Sequence, residues 1–140
     1  RLAGQSTASG QGAPQVIMLG GLGDVIAAER IAVAAGGAVH NLVGKTSLRE
    51  AAAILRRARV AVGVDTGLTH IAIAMRTPTL ALFGSTRPYL DACSPSVKIL
   101  YAALPCSPCR RHPTCDGRFD CMRAHTVEAV WRAAAPLLRA

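Results

Sequence analysis

The chain has 140 residues, is 51% apolar and only 4% aromatic, and carries a formal net charge of +8. A chain this long suits one domain with a core of Ala, Val, Leu and Ile; it is too apolar to be disordered, and no apolar run approaches the ~20 residues of a membrane span. The positive charge, mostly arginine, fits either a solvated basic face or an anionic partner such as a nucleotide, a phosphorylated glycan or an acidic lipid surface, while scattered arginines without interleaved aromatics argue against nucleic acid.

Arg1-Leu2-Ala3-Gly4-Gln5 carries no initiator Met and no signal pattern, and reads as the cut end of a longer chain. Residues 4–14 read as a flexible polar connector. Gln15 to Leu19 predicts a short strand ending at Gly20-Gly21-Leu22-Gly23-Asp24. Val25 to Ala35 predicts a helix closed by Gly36-Gly37. Ala38 to Leu42 predicts a second short strand. Ser47-Leu48-Arg49-Glu50 fits a capping box, and Leu48, Ala51, Ala52 and Leu55 recur at helical spacing, so an amphipathic helix is expected over 47–58. Val60 to Val64 predicts a buried strand, and Leu68 to Met75 a short helix ended by Thr77-Pro78. Thr79 to Phe83 and Val97 to Tyr101 predict two further strands. A Cys- and Pro-rich loop covers about 104–122. Thr126 caps a final helix with Val127, Val130, Trp131 and Ala134 on one face, and Pro136 ends or kinks it. Strands alternating with helices predict an α/β fold: a Rossmann-like parallel sheet with flanking helices.

Ligands in such folds bind beyond the carboxyl ends of strands, where the amides and dipole of the next helix attract anions. Asp65-Thr66-Gly67-Leu68-Thr69-His70 sits at such a point. Gly67 permits close approach of a ligand, Thr66 and Thr69 offer hydroxyls, and His70 stands one turn into the helix. Asp65 beside a phosphate is better suited to fixing the loop or accepting from a ligand hydroxyl. Gly20, Gly21 and Asp24 form a strand-to-helix turn without the G-x-G-x-x-G spacing of a dinucleotide site, which weakens a dehydrogenase reading. It is either a tight turn or a place where backbone approaches a nucleotide and Asp24 meets ribose. Lys45, Thr46 and Ser47 open a helix without P-loop spacing. They read as a cap with a surface lysine or as phosphate or base contacts. Cys106, Cys109, Cys115 and Cys121 fall within 16 residues, with Cys93 apart. A zinc site, disulfides and reduced structural thiols all remain open for them.

With these residues laid out, the chain resembles the C-terminal part of the lipopolysaccharide heptosyltransferases, the ADP-heptose-using glycosyltransferase family 9. The resemblance rests on Val16 to Gly21, Gly44 to Leu48, Gly63 to Ala72, Thr77-Pro78 through Thr86, and the loop Cys106-Ser107-Pro108-Cys109…Cys115…Cys121-Met122. It covers most of residues 15–130.

The resemblance implies a GT-B enzyme of two Rossmann-like domains, of which this chain is a partial donor-binding domain. It implies inverting transfer of heptose from ADP-heptose to the lipid A–core acceptor, with no metal or other cofactor required. The general base belongs to an acceptor-binding domain outside this chain, so no catalytic residue is expected here, and the isolated chain is expected to be inactive. On this model Asp65, Thr66, Gly67, Leu68 and His70 serve the diphosphate and sugar. Gly20, Gly21, Asp24, Lys45, Thr46 and Ser47 serve adenosine, although the Gly20–Asp24 spacing departs from members carrying Glu there. A cytoplasmic location, peripheral at the inner membrane, follows from the same resemblance. The alternatives are a non-catalytic nucleotide-sugar-binding module and a metal-binding interaction domain built on the Cys loop.

Overall fold

A computed structural model describes residues 15–88, 95–110 and 112–139. Where the length suggests one domain, the chain divides into two compact units after Ala51.

In the first unit, β1 (Val16–Met18) pairs in parallel with β2 (Val39–Asn41), with Val16 opposite Val39 and Met18 opposite Asn41. Between them a 3-10 turn (Leu22–Asp24) leads into α1 (Val25–Ala34). The expected glycine stop follows α1: Gly36 and Gly37 have φ of +58° and +84°, a region that costs glycine little. α2 (Leu48–Arg57), which begins in the first unit and ends in the second, opens with the expected capping box. The Ser47 amide donates to Glu50 Oε2 at 2.7 Å, and the Glu50 amide donates to Ser47 Oγ at 3.3 Å. Ala51 and Leu55 are buried on the predicted apolar face, but Leu48, in the first turn, is 67% exposed.

In the second unit, three parallel strands run in the order β3 (Ala61–Val64), β4 (Thr79–Phe83), β5 (Val97–Tyr101). β4 is flanked on both sides, with Ala81 opposite Gly63 and Ile99. A central parallel strand is covered on both faces, which is why Thr79-Leu80-Ala81-Leu82-Phe83 reads as unbroken. Thr79 and Leu80 are fully buried and Phe83 nearly so. Each large apolar side chain so buried contributes roughly 1.5–3 kcal/mol. The core joins Leu80 to Ala133, Ala134 and Leu137, with Val60, Leu82, Leu100 and Val130 around them.

The apolar run at 60–64 is not the fully buried strand that it suggests. β3 alternates, leaving Val62 and Val64 on an exposed face, because only one side of the strand is packed. α3 (Gly67–Ala74) follows β3 directly. A short helix α4 (Asp120–Arg123), which the sequence pattern does not announce, lies inside the Cys-rich segment. α5 (Val127–Ala134) is capped by Thr126, whose hydroxyl accepts from the Ala129 amide at 3.2 Å, and the helix ends before Pro136. Ala134 is buried as expected, whereas Val127 in the first turn is exposed. No helix among the described residues is long and apolar enough to cross a membrane. Residues 1–14 and Cys93 lie outside the described residues.

Candidate functional site

β3 delivers Asp65 to the carboxyl edge of its sheet, and Thr66, in extended conformation, begins α3. The Thr66 hydroxyl makes no capping bond, and the first-turn amides of Gly67 and Leu68 have no acceptor earlier in the helix. A Cβ placed on Gly67 would meet nothing within 4 Å, so the approach to these amides is open. An open helix N-terminus of this kind draws an anion through its N–H groups and its dipole.

The side chains around it form a cluster. Asp65 Oδ1 lies 3.3 Å from His70 Nε2, and Asp65 Oδ2 accepts from the Thr86 hydroxyl at 2.7 Å. Asp65 therefore joins the loop after β3 to the loop after β4. His70 keeps 46% of its side-chain exposure against 20% for Asp65. This is not a core histidine packed away on an apolar helix; its ring is open to a ligand.

Thr69 is a correction. It is buried, and its hydroxyl donates to the Val64 carbonyl at 2.6 Å, so it secures the strand end and does not face a ligand. Gly63 is glycine for this reason, since a Cβ there would run into the Thr69 hydroxyl. Thr86 is the residue that sequence reasoning missed as part of the site. Its only signal was position: it follows the carboxyl end of β4, beside the end of β3.

In the first unit the residues expected near adenosine also meet at a sheet's carboxyl end. The Gly44 amide donates to the Gly20 carbonyl at 3.0 Å, which ties the turn after β1 to the loop after β2. Gly44 has φ +71°, and a Cβ there would stand 2.8 Å from Val25 Cγ2, so the position excludes larger residues twice over. Asp24 Oδ2 accepts from the Gly21 amide at 3.1 Å. Lys45 Nζ donates to the Asn41 carbonyl at 3.2 Å, and Ser47 is engaged with Glu50. The Ser47 hydroxyl and the Ser47 amide each donate to Glu50 Oε2 at 2.7 Å, and these two bonds hold the Glu50 carboxyl below the usual glutamate range. Thr46 is half-buried between them.

The model of glycosyltransferase family 9 (heptosyltransferase) matches residues 6–118. The chain belongs to this family. Lipopolysaccharide heptosyltransferase 1 of Pseudomonas aeruginosa is 46% identical over 66 residues, which are 46% of this chain and 19% of that protein. Lipooligosaccharide heptosyltransferase 2 of Haemophilus influenzae is 46% identical over 48 residues, 34% of this chain and 14% of that protein. The solved structure of E. coli ADP-heptose LPS heptosyltransferase II superposes with a TM-score of 0.75 at 25% identity, covering 91% of this chain and 37% of that one. The chain thus spans well under half the length of the heptosyltransferases it matches.

The Cys-rich segment of this family 9 chain is pinned to the loop after β4. The Ser107 hydroxyl hydrogen-bonds the Gly84 carbonyl, and the Cys109 thiol lies 3.9 Å from the Ser85 carbonyl. α4 brings Cys121 and Met122 so close that a Cβ on Gly84 would stand 2.8 and 2.7 Å from their sulfurs. Cys106, Cys109, Cys115 and Cys121 all line one cavity of about 220 Å³, and all four are free thiols. Yet among the described residues no three His, Cys, Asp or Glu side chains form a group able to hold a metal ion. Cys115 and Cys121 are buried, Cys109 is half-buried and Cys106 is exposed.

Proposed function

We propose that this chain is the donor-binding part of an inverting glycosyltransferase that moves heptose from ADP-heptose to the lipopolysaccharide inner core. The Asp65–His70–Thr86 cluster at the open N-terminus of α3 carries the reading, because it offers a diphosphate what it needs. The amides of Gly67 and Leu68, the Thr66 hydroxyl and the His70 ring meet the diphosphate oxygens. As the bond from anomeric carbon to phosphate oxygen breaks, negative charge grows on the departing ADP. Prepositioned N–H donors stabilise that charge without a metal ion.

Asp65 is the positioning residue of this site. Held by Thr86 and His70, it fixes the loop and accepts from a heptose hydroxyl. In the first unit, Lys45, Thr46 and Ser47 serve adenosine and Asp24 serves ribose. The general base that deprotonates the acceptor hydroxyl, and the lipid A–core acceptor itself, belong to a domain beyond this chain. The +8 charge suits work at an anionic surface, consistent with a cytoplasmic protein peripheral to the inner membrane.

Calorimetric titration with ADP, ADP-heptose and GDP, with Mg²⁺ or with EDTA, tests the proposal. Binding of both ligands, unchanged by EDTA and weaker for GDP, is expected. Binding that requires Mg²⁺, or that ignores the base, would overturn it.

A further inference from the structure

Next to the Asp65–His70–Thr86 cluster lies a second pocket, of about 370 Å³, lined by Thr86, Arg87, Pro108 and Arg110. Thr86 belongs to both places: its hydroxyl donates to Asp65, and its surface forms part of the pocket wall. We propose that Arg87 and Arg110 form an oxyanion subsite here, taking a phosphate or carboxylate group. The inference rests on the donor-binding reading only for the source of that group, not for the existence of the subsite.

Three observations carry it. The first is that the pocket sets two guanidinium-bearing residues 23 positions apart in sequence around one concavity. Both are exposed, and neither belongs to the ion pairs seen among the described residues, such as His70 with Asp65 and Arg118 with Asp120. Two like charges facing one space repel each other, and an anion between them reverses the sign of that interaction. The guanidinium fork matches the paired oxygens of a phosphate or a carboxylate.

The second is that Arg110 is held in place against its own backbone preference. Its φ is +51°, in the left-handed region that costs a non-glycine residue free energy. Its amide donates to the Ser85 carbonyl at 2.8 Å, next to Thr86. The Ser107 bond to Gly84 and the Cys109 contact with Ser85 clamp the same stretch. The stretch that carries Arg110 is thereby fixed beside the pocket.

The third is location. β3 and β4 are adjacent parallel strands in register, Val64 opposite Leu82, so the pocket opens at the carboxyl end of the sheet, where α/β proteins take their ligands.

Two sources fit the same chemistry: the diphosphate of the nucleotide donor, or an acidic group on a second substrate. The test measures inorganic phosphate, AMP and ADP binding by calorimetry, to the natural chain and to Arg87→Gln/Arg110→Gln. Circular dichroism verifies folding, and Arg110→Lys is a milder control that keeps the charge and loses the fork. About five- to tenfold weaker phosphate binding is expected for the double variant, with Arg110→Lys in between. If ADP weakens in parallel while AMP does not, the subsite takes the outer phosphate of the donor. If ADP is unchanged and phosphate added to ADP-saturated protein is the ligand that weakens, it takes a separate anion. If ADP fails to bind even the natural chain while phosphate still distinguishes the variants, the donor reading falls and the subsite stands. Phosphate and ADP both binding the double variant within twofold of the natural chain, or no phosphate binding to the natural chain, would overturn the subsite.

Discussion

The chain has two strand-to-helix turns that look alike in sequence and differ in what their carboxylates do. After β1, Asp24 accepts from the amide of Gly21, three residues back, and closes a turn on itself. After β3, Asp65 reaches His70 five residues on and Thr86 twenty-one residues on. The first carboxylate serves only its own turn, which a backbone bond from Gly44 to Gly20 ties to the loop after β2; the second is a side-chain junction that holds two strand ends in a fixed relation. A side-chain junction fixes functional groups from separate loops around one space, which a carboxylate spent on its own turn does not do.

The sharpest way to break this contrast is at the glycines. Gly63→Ala drives a Cβ into the Thr69 hydroxyl and displaces its bond to Val64. A loss of about 2–3 kcal/mol in urea unfolding is expected for such overpacking with a broken buried hydrogen bond. Gly21→Ala is the matched control in the first turn. Its φ is −81°, and the new Cβ would stand 3.9 Å from Asp24 Oδ2, an ordinary contact. A change within about 0.5 kcal/mol is expected there. Equal losses at both positions would contradict the distinction between the turns.

Thr86→Val tests the junction itself. It removes the donor to a carboxylate that is only 20% exposed, which should cost about 1–2 kcal/mol of stability. ADP affinity should fall several-fold, because Asp65 then holds one loop and not two. Unchanged stability and affinity together would show that the Asp65–Thr86 bond positions nothing.

Gly67→Ala separates the site from the fold. The added methyl meets no atom within 4 Å beyond its chain neighbours and its own helical turn, and alanine favours a helical position, so stability should stay the same or rise by about 0.5–1 kcal/mol. ADP affinity should nevertheless drop several-fold, since the methyl enters the space from which a ligand reaches the α3 amides. Affinity equal to that of the natural chain would place the ligand elsewhere.

What the sequence made legible follows the same division between local and distant. The bounds of β4 and β5, the capping box at Ser47 and Glu50, the glycines after α1 and the Thr126 cap all rest on residues a few positions apart. The strand end, glycine and helix start at Asp65 to His70 were legible because they follow one another directly. Thr86 was not, since the pairing spans 21 residues and depends on β4 lying beside β3. Thr69 looked like a ligand donor because nothing in the pattern tells which face of a short helix turns inward. The exposed Val62 and Val64 mislead for a related reason: an apolar run states a preference for burial but not whether a neighbour is there to cover it. α4 escaped notice because four residues hold no helical period, and Phe119 before it adopts the left-handed conformation at φ +51°.

The smallest effect expected is at the opening of α2, where the contacts are local and exposed. Two hydrogen bonds from Ser47 lower the Glu50 pKa in the folded chain. A carboxyl whose folded pKa is depressed stabilises the folded state above its unfolded pKa, and that contribution is lost as pH falls through the folded value. Acidification from neutral pH through the glutamate range should therefore remove a small stabilisation from the natural chain. Glu50→Gln should remove most of that pH-dependent part. The neutral amide still offers an oxygen to the Ser47 amide, so the cap persists without its charge. Unfolding midpoints of the two chains, compared at neutral pH and below the glutamate range, should differ more at neutral pH and converge on acidification. A gap that stays constant with pH would mean that the box acts through geometry alone. A gap that widens in acid would reverse the sign argued here and remove the Ser47 bonds as the cause of the lowered pKa.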